Sequence, residues 1–240
     1  MIAGPYRPRF GTGAADLAAI TDLRQRCFPA AEIDVLSDDF DKNCQHLMIE
    51  ADGALVASCR LTLFQSGQDI GKSYAATFYE LSRLMTYENP LLEIGRFCVE
   101  PAQKSPDILR LILAEITRIV LRDHVGLLFG CTSFTGTDPN KYRHAFHQLA
   151  RNHLAPAEWR PGEKASEVFR FAQNPGDEPI DQIAAFREMP ALLRSYLGLG
   201  GWVSDHSVVD HKMQTLHVFT GVEVGNIPQS RARALRGLIA

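Results

Sequence analysis

The feature that most constrains this 240-residue chain is a continuous apolar run that leads into an amphipathic helix pattern. The run LLEIGRFCV covers Leu91 to Val99, and from Pro106 isoleucines recur at helical spacing in PDILRLILAEITRIVL. A buried strand followed by a helix with one apolar face is the building unit of α/β proteins, because the helix must cover the sheet. A second apolar run, LLFGCTSF, follows the helix and predicts a neighbouring strand.

Further elements extend this pattern in both directions. Apolar residues near helical spacing predict a first helix over Ala15 to Cys27, and two apolar runs around Asp52-Gly53 predict a β-hairpin. The segment MQTLHVFTGVEV predicts a final strand late in the chain. This order predicts an α/β fold, a mixed sheet with helices on both faces.

The length fits one domain, so we expect residues 1–240 to form a single unit. Residues 161–190 are rich in proline, glycine and charge and indicate a variable connector. Residues 191–240 then form a C-terminal extension that completes the sheet.

Composition excludes several classes of protein. A formal net charge of -3 argues against a nucleic-acid partner, and no apolar run is long enough to span a membrane. The start of the chain lacks the apolar segment of a signal peptide, so we expect a cytoplasmic protein. The cysteines are scattered among apolar neighbours, so we expect them to be free thiols in a reducing compartment. The basic tail SRARALRGLIA is either a solvated helix or a contact with anionic lipid or an acidic partner.

Two charged residues, Glu93 and Arg96, interrupt the apolar strand. A charge on a buried strand is costly unless it is paired or takes part in chemistry. Because the two residues differ by three positions, we expect their side chains on opposite faces of the sheet. Each is either part of a structural ion pair or functional. In the functional interpretation Glu93 is a general base and Arg96 holds the acidic loop Asp38, Asp39 and Asp41.

The turn between strand and helix, Gln103 to Ile108, reads QKSPDI. Ser105 is a good N-cap and Pro106 suits the first helical position, whereas a phosphate-binding turn normally contains glycine. The turn is therefore either a purely structural helix start or a site that binds phosphate weakly.

Six segments, taken in their order along the chain, resemble the bacterial L-ornithine N-alpha-acyltransferases. They are DDFDKNCQHLMIE, VASCRLTL, YAATFYELSRLM, LEIGRFCVEP, LLFGCTSFTGTDP and YLGLGGWVSDHSVVD. This family belongs to the GNAT superfamily and is related to the acyl-homoserine-lactone synthases. The resemblance implies a GNAT-like mixed, mostly antiparallel central sheet flanked by helices. The tryptophan that the lactone synthases carry after the residue matching Phe28 is replaced here by PAAEID, which favours the amino-acid acyltransferases.

The resemblance also implies roles for individual residues. Glu93 and Arg96 would be catalytic. Backbone N–H groups near Phe97 to Val99 would polarise the donor carbonyl between the strand Leu91 to Val99 and LLFGCTSF. No G-x-S-x-G motif surrounds the serine of LLFGCTSF, so we expect direct transfer rather than a covalent intermediate. The predicted substrate-binding residues are Arg24, Phe28, Asp38, Asp41, Arg60, Phe97, Cys98, Val99 and Ser133.

The implied reaction transfers a 3-hydroxyacyl group from acyl carrier protein to the α-amino group of ornithine, giving lyso-ornithine lipid. We expect no metal and no bound cofactor. Acyl carrier protein, or coenzyme A, would carry the acyl donor, and the protein would contact the inner membrane peripherally. Asp38 and Asp41 either attract a cationic acceptor or pair with arginines. The alternatives are an acyltransferase for another amine (glutamine, glycine or a homoserine-lactone type) and a non-catalytic acyl-carrier or lipid-binding module.

Overall fold

The structure is a computed structural model that describes residues 5–173 and 181–239. Within these residues the strands are β1 Tyr6–Phe10, β2 Gln45–Ala51, β3 Ala54–Phe64, β4 Tyr79–Glu80, β5 Leu91–Val99, β6 Leu127–Thr135, β7 Gly162–Glu163, β8 Val168–Phe169, β9 Trp202–Val203, β10 Ser207–Asp210 and β11 Thr215–Glu223. The helices are α1 Ala14–Cys27, α2 Pro106–Arg122, α3 Arg143–Asn152, α4 Gln182–Glu188, α5 Ala191–Leu197 and α6 Gln229–Gly237.

One large sheet runs in the order β1-β2-β3-β5-β6-β11-β10-β8, and β9 pairs with β11. Its neighbours are antiparallel except β5 and β6, which are parallel. This confirms the predicted mixed, mostly antiparallel sheet. The parallel pairing lasts only from Leu91↔Leu127 to Glu93↔Phe129, after which the two strands diverge. Parallel neighbours require a crossover, and α2 provides it.

Local sequence signals explain the elements around this divergence. Asp52 and Gly53 both have positive φ, 52° and 80°, as the two-residue turn between β2 and β3 requires. At the start of α2 the Ser105 hydroxyl accepts the Asp107 N–H at 3.3 Å. The buried face of α2 packs on the sheet through Ile108, Ile112, Ile116 and Ile119.

The second half of the chain builds the far side of the sheet. Residues 161–190 contain β7, β8 and α4, and part of the predicted connector, 174–180, lies outside the described residues. In the predicted extension, β11 lies inside the sheet between β6 and β10. The division into connector and extension stays a prediction. No helix within 5–173 and 181–239 has the length and apolar character needed to cross a bilayer.

Candidate active site

A cavity of about 290 Å³ opens where β5 and β6 diverge. Its walls come from β5, β6, the loop that precedes β4, the start of α5 and the β10–β11 hairpin. The polar and charged residues that line it are Tyr74, Glu93, Arg96, Thr132, Ser133, Asp210, Thr215 and His217. The cavity therefore joins elements that are far apart in the sequence.

A β-bulge shapes the β5 wall. The pairing of β5 with β3 skips a position between Gly95 and Cys98, and Arg96 has φ 49°, a left-handed conformation that is uncommon for residues with a side chain. The extra residue reverses the alternation of side chains along the strand. Glu93 and Arg96 consequently line the same cavity and both contact Tyr74, so the expectation of opposite faces is wrong.

Glu93 is held in a fixed position by backbone donors. One carboxylate oxygen accepts the Ala75 N–H at 2.8 Å and the other accepts the Tyr74 N–H at 3.0 Å. The side chain is only 4% exposed. Burial raises the pKa of the Glu93 carboxyl above its ordinary value, although the two backbone hydrogen bonds oppose this shift. An oriented carboxylate with a raised pKa in the wall of a cavity is suited to accept a proton.

An ion network lies behind Arg96. Arg24 binds Asp41 through two hydrogen bonds of 2.7 and 2.9 Å, and both side chains are 1% exposed. Arg60 donates to Asp38 at 2.5 Å and to Asp41 at 3.2 Å, and Arg96 donates to Asp38 at 3.1 Å. The structure thus favours the interpretation in which Asp38 and Asp41 pair with arginines.

The network differs from the sequence expectation in one respect. Asp39 is exposed and pairs with Lys42, so Arg96 holds Asp38 alone among the three aspartates of this loop. Burial raises the pKa of the Asp41 carboxyl, but hydrogen bonds and charge from Arg24 and Arg60 outweigh it and hold that pKa well below its usual range.

Tyr74 links the network to Glu93. The guanidinium groups of Arg60 and Arg96 lie 5.0 and 4.9 Å from the centre of the Tyr74 ring, within the range of cation–π contacts. The backbone N–H of the same residue donates to Glu93. Sequence reasoning missed Tyr74, since an aromatic residue in an irregular loop gives no signal of this role.

The remaining predicted residues divide into two groups. Phe28, Phe97 and Ser133 line the cavity. Cys98 and Val99 do not line it: Cys98 is buried next to Cys27 in α1, and the Val99 carbonyl accepts the Cys27 thiol at 3.2 Å. The predicted polarising role of the backbone in this stretch stays a prediction.

The cavity also holds groups that could act as nucleophile or base. Burial, followed by the charge of Glu93, raises the pKa of the Cys131 thiol far above its usual range, which keeps it protonated and unreactive. Burial, with the charges of Arg96 and His206, lowers the pKa of His217 to about 3, so its imidazole is neutral. A protonated Cys131 thiol is a poor nucleophile, and the neutral His217 carries no charge, so both agree with direct transfer of the acyl group.

A separate apolar pocket adjoins the divergence of the strands. It lies between α2 and α6, and its lining is mostly hydrocarbon. The residues that line it are Ile94, Leu113, Ile116, Val120, Leu121, Leu128, Tyr196, Leu199, Val224, Ile227, Ala232 and Leu235, together with Thr117 and Arg236. Ile94, Leu128 and Tyr196 also line a smaller opening next to the main cavity. An acyl chain is the kind of group that such a lining accommodates.

Within residues 5–173 and 181–239, one group has ligand atoms close enough for a metal: Asp41, Cys44 and His46. Two arginines already bind the carboxylate of Asp41, so their charge disfavours a cation there. This group does not fit a metal ion.

Comparison with known proteins identifies related chains. A family model described as an acetyltransferase (GNAT) domain matches residues 23–114. The chain is 32% identical over 189 residues to an L-ornithine N(alpha)-acyltransferase of Rhodobacter capsulatus, covering 76% of this chain and 72% of the relative. A protein of the same name from Brucella abortus is 29% identical over 236 residues, covering 90% of this chain and 83% of the relative.

Two solved structures share the fold. FeeM, an N-acyl amino acid synthase from uncultured soil microbes, superposes with a TM-score of 0.54 at 10% identity, over 93% of this chain and 94% of that one. GphF, a GNAT-like decarboxylase in complex with isobutyryl-CoA, gives 0.52 at 16% identity, over 91% and 99%.

Proposed function

The chain belongs to the L-ornithine N(alpha)-acyltransferase family and is an N-acyltransferase, and from this premise we propose that it acylates the α-amino group of ornithine. The donor is a 3-hydroxyacyl thioester of acyl carrier protein, and the product is lyso-ornithine lipid. The observation that carries the proposal is Glu93, a buried carboxylate with a raised pKa at the point where β5 leaves β6.

The chemistry follows from this position. Ornithine enters with its α-amine protonated, and Glu93 removes one proton, directly or through water, which frees the nitrogen lone pair. The amine attacks the thioester carbonyl, the C–N bond forms and the C–S bond breaks. The nitrogen loses its second proton, and the leaving thiolate takes up a proton to become a thiol. Holding donor and acceptor together between β5 and β6 supplies much of the rate.

The surroundings of the divergence support a long acyl donor. The apolar pocket between α2 and α6 receives the hydrocarbon, because burying methylene groups there is favourable. The start of α2 carries the Ser105 cap and no glycine, which fits a donor held mainly by its carrier protein. Lys104, at this turn, is exposed and provides positive charge for an acidic carrier.

Three arginines along α2 already have acidic partners. Arg110, Arg118 and Arg122 each bind an acidic neighbour on α2 or at its end, at 2.9, 2.5 and 2.6 Å. These exposed pairs are weak, so an acidic partner can compete for the arginines.

We propose that the protein is cytoplasmic and contacts the membrane peripherally. We also propose that residues 1–240 form one catalytic unit. The five free cysteines support a reducing compartment. In α6, Arg231 and Arg233 are exposed while Ala232 and Leu235 line the apolar pocket, which gives the helix a basic outer face.

The test uses purified protein, a 3-hydroxyacyl carrier protein and single amino acids, with mass spectrometry of the lipid extract. We expect an N-acyl product with ornithine. A product that forms only with glutamine, glycine or homoserine lactone would show that this amine, and not ornithine, is the acceptor. Folded protein that binds the donor and yields no product with any amine would favour the binding-module alternative.

A further inference from the structure

The site contains more negative than positive charge. Three guanidinium groups (Arg24, Arg60 and Arg96) face four buried or half-buried carboxylates: Asp38, Asp41, Glu93 and Asp210. All three arginines bind the first two of these carboxylates, and Glu93 accepts two backbone N–H groups. Burying a carboxylate without a partner is costly, so the fourth one requires an explanation.

Asp210 lines the cavity from the β10–β11 hairpin, across from β5, and is 8% exposed. One of its carboxylate oxygens accepts the Met213 N–H at 2.9 Å. Among the residues that the structure describes, no lysine, arginine or histidine forms an ion pair with it. The sequence offers no signal of this position beyond the segment SDHSVVD, in which Asp210 is the last residue.

Arg96 lines the same cavity as Asp210, but its ion pair is with Asp38. His217, on the adjacent strand β11, lines the same cavity and is neutral because burial lowers its pKa to about 3. The charge of Asp210 acts on Tyr74 and Cys131, where it is one of the causes that raise the pKa of each side chain. Asp210 therefore presents a carboxylate with one backbone donor to the cavity, where a ligand would lie.

We propose that Asp210 binds the side-chain ammonium of the acceptor, so that the cavity selects amino acids with a second positive charge. The inference rests on the proposed N-acyl transfer and specifies its acceptor. The three charged groups of the cavity then match those of a diamino acid: Arg96 faces the α-carboxylate, Glu93 the α-ammonium and Asp210 the side-chain ammonium. The side-chain amine stays protonated in this ion pair and cannot attack, which restricts acylation to the α-nitrogen.

The test compares wild-type protein with Asp210→Asn, using carrier-bound donor and two acceptors, ornithine and norvaline. Norvaline is ornithine without its side-chain amine. The asparagine side chain still accepts the Met213 N–H and removes a buried charge, so the variant is expected to fold. Asp69→Asn, which alters an exposed carboxylate paired with Lys72, is the matched control.

We expect wild-type kcat/KM for ornithine to exceed that for norvaline by about 10²-fold or more, as for loss of a buried charge pair. In Asp210→Asn the ornithine value falls by a similar factor, mainly through KM, while the norvaline value is unchanged. An Asp210→Asn variant that keeps the full preference for ornithine would overturn the inference.

Binding without donor separates this inference from the proposed function. Calorimetry should detect ornithine binding to the wild type and a loss of that binding in Asp210→Asn. Such binding in a protein that forms no product would support the Asp210 site and refute the transferase. Product formation from ornithine with equal affinity in both proteins would refute only the Asp210 site.

Discussion

Replacing Gly130 by alanine should push β5 and β6 apart at the point where they diverge. Gly130 directly follows Phe129, the last β6 residue paired with β5. A Cβ at this position would lie 2.2 Å from the carbonyl oxygen of Ile94. Ordinary contact begins at 3.4 Å, so about 1.2 Å of separation is needed. The obstacle is a backbone atom, and pairing to Leu61 on β3 holds Ile94 in place.

This separation acts on the proposed general base, because Ile94 follows Glu93 directly. We expect kcat to fall by about 10²-fold, the effect typical of a displacement of about 1 Å at a reacting centre. We also expect the free energy of unfolding to fall by about 1–3 kcal/mol, as for overpacking in a core. Turnover with carrier-bound donor and urea unfolding measure the two effects.

Gly71→Ala is the matched control, because a Cβ there meets nothing within 4 Å. A Gly130→Ala protein with wild-type turnover and stability would show that the close approach of the strands is not required. A destabilised variant with full turnover would show that Glu93 does not depend on the spacing of β5 and β6.

Three further outcomes follow from the site. Glu93→Gln should retain donor binding and lose about 10²–10⁴-fold in kcat, as for a missing general base; an unchanged rate excludes Glu93 from the chemistry. The fold lowers the pKa of Asp41, so its ionised carboxylate stabilises the protein above the unfolded pKa of about 3.9, and this stabilisation is lost as pH falls toward the folded pKa. In Asp41→Asn the free energy of unfolding, measured by urea unfolding at a series of acidic pH values, should therefore change less with pH than in the wild type. Finally, turnover with carrier-bound donor should fall with added salt, and salt indifference would contradict docking by charge.

Local signals were sufficient to predict the elements that frame the site. The strand Leu91–Val99 is observed with the predicted bounds, and α2 begins at the predicted Pro106. Both follow from residues next to each other in the chain, an apolar run and a capped helix start. The hairpin at Asp52-Gly53 is also local, since its turn needs two residues with positive φ.

Features that depend on a distant partner were not predicted. The bulge in β5 is defined by its pairing with β3, so counting along the strand alone placed Glu93 and Arg96 on opposite faces. The strand β10 was also missed, because it has only four residues and pairs with β8 and β11. Asp210 depends on this pairing for its place in the cavity, and nothing in its neighbouring sequence marks it as a binding residue.

The two aspartates of the ion network, Asp38 and Asp41, then have a structural rather than a substrate-binding role. Arg96 adopts a strained backbone conformation, and its guanidinium is held by Asp38, the Val35 carbonyl at 2.8 Å and the Tyr74 ring. These contacts keep the bulge in place, and through Tyr74 they also fix Glu93. Because Asp38 and Asp41 are paired with arginines, recognition of a cationic side chain on the acceptor is left to the opposite wall. That wall lies outside residues 23–114, which match the acetyltransferase model, so in the proposed function the β10–β11 hairpin and not the matched segment selects the acceptor side chain.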